Sequence, residues 1–214
     1  ASTVGATNRL LTLATDAGGT TTLTGNVTTQ NTQVYGDTVI LAGSLTALSN
    51  NNQAITFSGT VDGDVAATRT LTVNTSNTTT FSDAVGGVNS LASLTTNAGG
   101  TTVLSNDVTT SGAQTFGDAV TLANDITATS TASGTITFGG TLDATVAGAQ
   151  SLSVVSDGNK VFTGIVGGTA APESLSVNAG GTTTLSANVT TDGDQTYSNN
   201  VTQTANVIAT SLSS

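Results

Sequence analysis

The chain repeats itself at a fixed interval. Ala17-Gly18-Gly19-Thr20-Thr21 returns as Ala98-Gly99-Gly100-Thr101-Thr102 and again as Ala179-Gly180-Gly181-Thr182-Thr183, so both intervals are 81 residues. A period held to the residue over 214 residues means that one structural unit stacks on the next.

A shorter element recurs inside the period: a large apolar residue, two spacers around a turn-forming residue, then a small aliphatic one. Its ten copies run from Leu23 to Val27, Tyr35 to Val39, Phe57 to Val61, Phe81 to Val85, Leu104 to Val108, Phe116 to Val120, Phe138 to Leu142, Phe162 to Val166, Leu185 to Val189 and Tyr197 to Val201. The middle residues are Gly25, Asp37, Gly59, Asp83, Asn106, Asp118, Gly140, Gly164, Ala187 and Asn199, and all but Ala187 tolerate a left-handed backbone. In one straight strand the middle residue would share a face with its apolar partners, burying Asp37, Asp83 and Asp118 beside Tyr, Phe and Val. A corner lets both apolar side chains point inward while the Asp or Asn turns outward or caps the local backbone.

Segments leading into the corners read as strands. Residues 19–23, 71–73 and 134–138 are rich in β-branched side chains, alternate with period two, and lie between Gly, Asn and Asp clusters. No stretch has a helical period. Counting the weaker apolar segments gives about seven short strands per period, and coils of roughly 20 to 24 residues. The predicted fold is all-β: a parallel β-solenoid, continuous over 1–214, with super-repeats at about 10–90, 91–171 and a partial 172–214. Tandem immunoglobulin-like sandwiches are the rival. They expect a bulky core and linkers, whereas this chain has no Trp, two Tyr, five Phe and one Pro.

Composition narrows the function. Thirteen acids against three bases give a net charge of −10, which repels a phosphate backbone, so no nucleic-acid partner is expected. No apolar run approaches the ~20 residues of a membrane span, so no membrane insertion is expected either. With no His or Cys, the usual general bases and thiolate nucleophiles are missing. The only candidates for acid chemistry are Arg69 near Asp62 and Asp64, and Lys160 near Asp157. Asp62-Gly63-Asp64 and Asp192-Gly193-Asp194 read as exposed turns, and the acid, base and electrophile partners of a catalytic set are missing, so the chain is expected not to be an enzyme and to carry no cofactor.

Residues 19–29 (GTTTLTGNVTT) and 181–191 (GTTTLSANVTT) resemble the repeats of filamentous-haemagglutinin-type adhesins and of autotransporter passengers, which are secreted bacterial β-helices. The resemblance covers almost the whole chain. It implies a right-handed parallel β-helix, an extracellular or cell-surface location, and an adhesive or stalk role. The family's Asn-Pro-containing secretion motif and membrane-barrel segment are absent from these residues.

Two binding chemistries remain as expectations. Asp62 and Asp64, and Asp192 and Asp194, are closely spaced oxygens of the kind a calcium ion takes, although the Gly-Gly-x-Gly-x-Asp pattern of calcium β-rolls is missing. Strand alternation sends Thr20 and Thr22 outward before Leu23, Thr135 and Thr137 before Phe138, and Thr182 and Thr184 before Leu185. Outward Thr pairs suit a glycan or cell-surface contact, and they are also the arrangement of ice-binding solenoids. The expected function is a non-enzymatic rod, stalk or filament unit of a bacterial surface structure, with ice binding as the alternative. Its partners would be adjoining repeats, or further copies stacked head to tail, with residues 197–207 on residues 10–23.

Overall fold

A computed structural model describes residues 3–178 and 180–213. They contain no helix; every strand pairing is parallel, and the chain winds as a β-solenoid. A parallel ladder between successive coils excludes the antiparallel sandwich. Each coil lays one short strand on each of three faces. In one coil, Gln33–Tyr35 lies on the first face, Thr38–Leu41 on the second and Leu45–Ser49 on the third. The third face is an unbroken sheet of nine strands, from Val27–Thr29 to Asn200–Gln203.

All ten proposed corners are bends in the chain. On either side of them Val, Leu, Ile and Phe point inward and Thr and Ser outward, which period-two alternation of these residues dictates. The interior is one continuous apolar column from Leu23 to Val189. Register offsets run from 18 residues, where Thr20 pairs with Thr38, to 26, where Ala47 pairs with Val73. Loop insertions at the corners absorb this variation.

The sequence reading undercounted strands. From Gln33 to residue 113 there are ten strands and one broken segment, Val85 and Leu91, each held by a single-residue bridge to the strand Val108–Thr110; that makes eleven segments in place of about seven. Segments such as Val27–Thr29 and Gln114–Phe116 are three residues long, too short for periodicity to reveal.

Eleven segments on three faces make the super-repeat 3⅔ coils, or about 22 residues per coil. Each 81-residue unit therefore starts one face away from the last. Gln33 lies on the first face, Gln114 on the third and Gln195 on the second. The aromatic residues make the rotation visible. Tyr35, Phe57 and Phe81 stack inside the first face with centroids 4.8 and 5.2 Å apart. Their counterparts Phe116, Phe138 and Phe162 stack inside the third, at 5.3 and 5.2 Å, and Tyr197 stands inside the second.

Val85 and its counterpart Val166 pair as single bridges because the chain leaves the face immediately after them. Gly86 and Gly167 make that exit at φ of +70° and +69°. A Cβ on either would lie 2.1 Å from a carbonyl oxygen of the next coil, Thr109 or Thr190. Only glycine fits both the backbone and the space.

Candidate functional site

The most regular surface lies on the third face. Following the ladder outward gives Thr46, Thr72, Thr95, Thr115, Thr137, Val161, Thr184 and Thr202, each paired with the next. Seven of these eight rungs carry Thr. The rungs are ~4.8 Å apart, so the row is an evenly spaced line of hydroxyls and methyls. Beside it, at i−2 in the strands, run Ser44, Thr70, Ser93, Ala113, Thr135, Asn159, Thr182 and Asn200.

The six threonines singled out from sequence divide between two faces. Thr135, Thr137, Thr182 and Thr184 belong to these two columns on the third face. Thr20 and Thr22 are exposed on the second, where Thr22 pairs with Ile40 and Ile40 with Asp62, so no threonine row forms there. Thr20 and Thr182 are the same position of the repeat, but two repeats turn them onto different faces. Thr46, Thr72, Thr95, Thr115 and Thr202, which complete the row, were missed because the row depends on coil register, not on the 81-residue period. The spacing of the bends was the signal that could have aligned them.

Three of the four acids considered for calcium have structural work. Asp62 is buried and accepts from the N–H groups of Val88 and Asn89 at 2.9 and 3.0 Å, closing the loop after Gly86. Asp143, one repeat later, does the same for Thr169 and Ala170. Asp64 pairs with Arg69 at 2.6 and 2.9 Å, and that guanidinium holds its carboxyl below the usual range. Asp192 accepts from the Ser213 hydroxyl, while Asp194 enters the ladder only through its backbone carbonyl, which accepts from Leu175 N–H. Among the described residues, no three acidic side chains converge on one point.

Two corner aspartates depart from the outward reading. Asp37 is 7% exposed and Asp118 1%. Both turn inward because side-chain hydroxyls wait for them: Thr15 and Thr21 donate to Asp37 at 2.8 Å, and Thr102 donates to Asp118 at 3.0 Å, joined by Gly100 N–H at 2.8 Å. Asp83 follows the cap reading, accepting from Ala84 N–H and from Asn106. The Asp37 carboxyl is held below its ordinary range by the Thr15 bond first and Thr21 after it. Burial outweighs the same kind of bonds at Asp118 and pushes its carboxyl up.

One cation is fully buried. Lys160 lies in the strand Lys160–Phe162, between Ile136 and Thr183 on the inward side of the third face. Its Nζ donates to the Gly180 carbonyl. Burial pulls the amine below the ordinary lysine range, and Asp157 opposes that pull. The sequence offered Lys160 only as a partner for Asp157; its alternation in the strand sends it inward.

A shallow groove of about 350 Å³ runs across the second face, lined by Asp107, Asp125, Thr127, Ser151, Ser153, Ser174 and Ser176. Asp107 and Asp125 each accept one backbone N–H, from Thr127 and Ser151, and keep their remaining lone pairs for solvent. No family model, curated protein or solved structure matches this chain.

Proposed function

We propose that the chain is a length of non-enzymatic extracellular rod, the structural or adhesive β-solenoid of a bacterial surface structure. The observation that supports this best is the uninterrupted stack of parallel rungs around one apolar column. Each coil is covered only by its neighbours, so length grows with repeat number while cross-section stays constant. The hydroxyl-rich exterior and the groove at Asp107 and Asp125 offer the acceptors and donors that sugar hydroxyls match, in the weak and multivalent mode that suits a surface rod. Adjoining coils, of this chain or of other copies, are the proposed structural partners. Electron microscopy of tandem 81-residue units tests the rod: each added unit should lengthen the particle by about 18 Å, 3⅔ rungs of ~4.8 Å. Globular beads would refute it. A glycan array on the same material separates adhesive rod from inert spacer.

The threonine row supports a second reading, ice binding through the third face. Under it the chain shapes growing ice crystals and shows thermal hysteresis. Thr137→Lys with Thr184→Lys abolishes both effects, while Thr20→Lys on the second face does not.

A further inference from the structure

Successive super-repeats can be compared position by position, and one polar cluster across the boundary of the second and third is chemically inverted. Across the boundary of the first and second, Thr79, Thr102 and Asp118 lie inward at neighbouring rungs, and the Gly99–Gly100 peptide turns its N–H in to meet the carboxylate. One period later Lys160 stands for Thr79, Thr183 for Thr102 and Asn199 for Asp118. The Gly180–Gly181 peptide is flipped to match. Its carbonyl faces in and accepts from both Lys160 Nζ and Asn199 Nδ2, the latter at 3.2 Å. The positive φ moves accordingly, from Gly99 to Gly181.

As an ion site this cluster is poorly made. A lysine placed there would be served by the aspartate that the sibling repeat carries, yet the chain has an amide instead. An ammonium has three donors to satisfy, and the buried Nζ has one acceptor, Gly180. Among the described residues no carboxylate comes within salt-bridge distance of Nζ, and burial outweighs the more distant attraction of Asp157, so the neutral amine is the species that fits. A neutral, desolvated lysine amine is a nucleophile. Its neighbour across the shared carbonyl is a carboxamide whose Oδ1 accepts a 2.8 Å hydrogen bond from the Thr183 hydroxyl. That bond polarises Cγ and sits where negative charge would develop on attack.

We infer that Lys160 and Asn199 form an intramolecular isopeptide bond. Nζ attacks Cγ of Asn199 and the Nζ–Cγ bond forms. The Cγ–Nδ2 bond breaks, and a proton from Nζ leaves with Nδ2 as ammonia. No oxidant, metal or cofactor is needed. Thr183 acts as a positioning residue that holds the carbonyl oxygen, and Gly180 gathers the two nitrogens on one acceptor. The product ties together strands two rungs apart on the third face, Lys160–Phe162 and Asn200–Gln203, across Thr182–Leu185. It replaces a buried titratable amine by a neutral amide. In a rod under tension it adds a covalent clamp to rungs otherwise held by hydrogen bonds and apolar packing. The inference stands whether the rod carries a ligand or not.

Intact mass of the full chain, measured after denaturation, is the test. The wild-type chain should be lighter than its sequence by one ammonia, and digestion should yield a branched peptide joining the segments around residues 160 and 199. Lys160→Arg should restore the full mass. The double variant Lys160→Thr with Asn199→Asp, which copies Thr79 and Asp118 and so keeps a combination the fold already holds, should also restore it. A wild-type chain at full sequence mass overturns the inference, as does an ammonia loss that persists in Lys160→Arg.

Discussion

Tyr35 and Phe116 occupy the same place in successive 81-residue units, but their neighbours are not equally satisfied. Gln33 is buried, donates through Nε2 to the Leu48 carbonyl, and accepts from the Tyr35 hydroxyl at 2.8 Å. Gln114 makes the same donation, to Thr129, at the same 2.8 Å, yet its Oε1 has no partner because Phe116 has no hydroxyl. Tyr197 returns the hydroxyl in the third unit and donates to Gln195 at 3.3 Å. The units sit on different faces, so their matching environments show that the three faces are interchangeable scaffolds. What differs between them follows from individual substitutions.

Interchangeability is tested hardest where the cost is largest. Phe57 and Phe138 are counterparts, each the middle ring of a three-ring stack on a different face. Phe57→Ala and Phe138→Ala should each destabilise the chain by about 3–5 kcal/mol, measured by urea denaturation. Cost at fixed chemistry depends on how far each site can collapse, so a difference of more than ~1 kcal/mol between the two would mean that the faces are not equivalent.

The Gln contrast predicts smaller effects of opposite sign. Phe116→Tyr should satisfy Gln114 Oε1 and stabilise by about 1 kcal/mol, whereas Tyr35→Phe should strand Gln33 Oε1 at a cost of about 1–3 kcal/mol. A Phe116→Tyr chain no more stable than wild type would mean that the hydroxyl does not reach its neighbour on the third face.

These contrasts bear on what could be read from sequence. The fold was legible, because all ten corners are marked by their own residues and the apolar partners of each corner face one interior. The number of strands was not, since a three-residue strand such as Gln33–Tyr35 carries a single alternation. Nor was the surface pattern: the 81-residue period aligns Thr20 with Thr182, whereas the coil of about 22 residues aligns Thr137 with Thr115 and, through Val161, with Thr184. Asp37 and Asp118 were read outward because isolated buried carboxylates are costly. The hydroxyls that relieve the cost come from Thr21 and Thr102, 16 residues earlier, and a local reading does not bring them to the corner.

Asp37 and Asp118 give the finest comparison, because the same residue at the same corner titrates in opposite directions. At Asp37 the threonine bonds win and the folded carboxyl lies below its unfolded value. Its contribution to stability is therefore present above the unfolded value and lost as pH falls through the depressed one. At Asp118 burial wins and the folded carboxyl lies above 3.8. Between those two values the folded state binds more protons, so stability declines as pH rises through the window, and a constant penalty remains above it. Asp37→Asn should lower the thermal midpoint at neutral pH, with the loss vanishing in acid where Asp37 is already protonated. Asp118→Asn should raise the midpoint at neutral pH and leave it nearly unchanged below 3.8. The Asn in this second variant can be accommodated as it is at Asn199, by turning the Gly99–Gly100 peptide so that its carbonyl faces the amide, the arrangement Gly180 already adopts. Thermal melts of both variants across acid and neutral pH decide the matter. Two shifts of the same sign would mean that the extra coverage of the inner corner does not outweigh its hydrogen bonds, and the two repeats would then be electrostatically as well as geometrically alike.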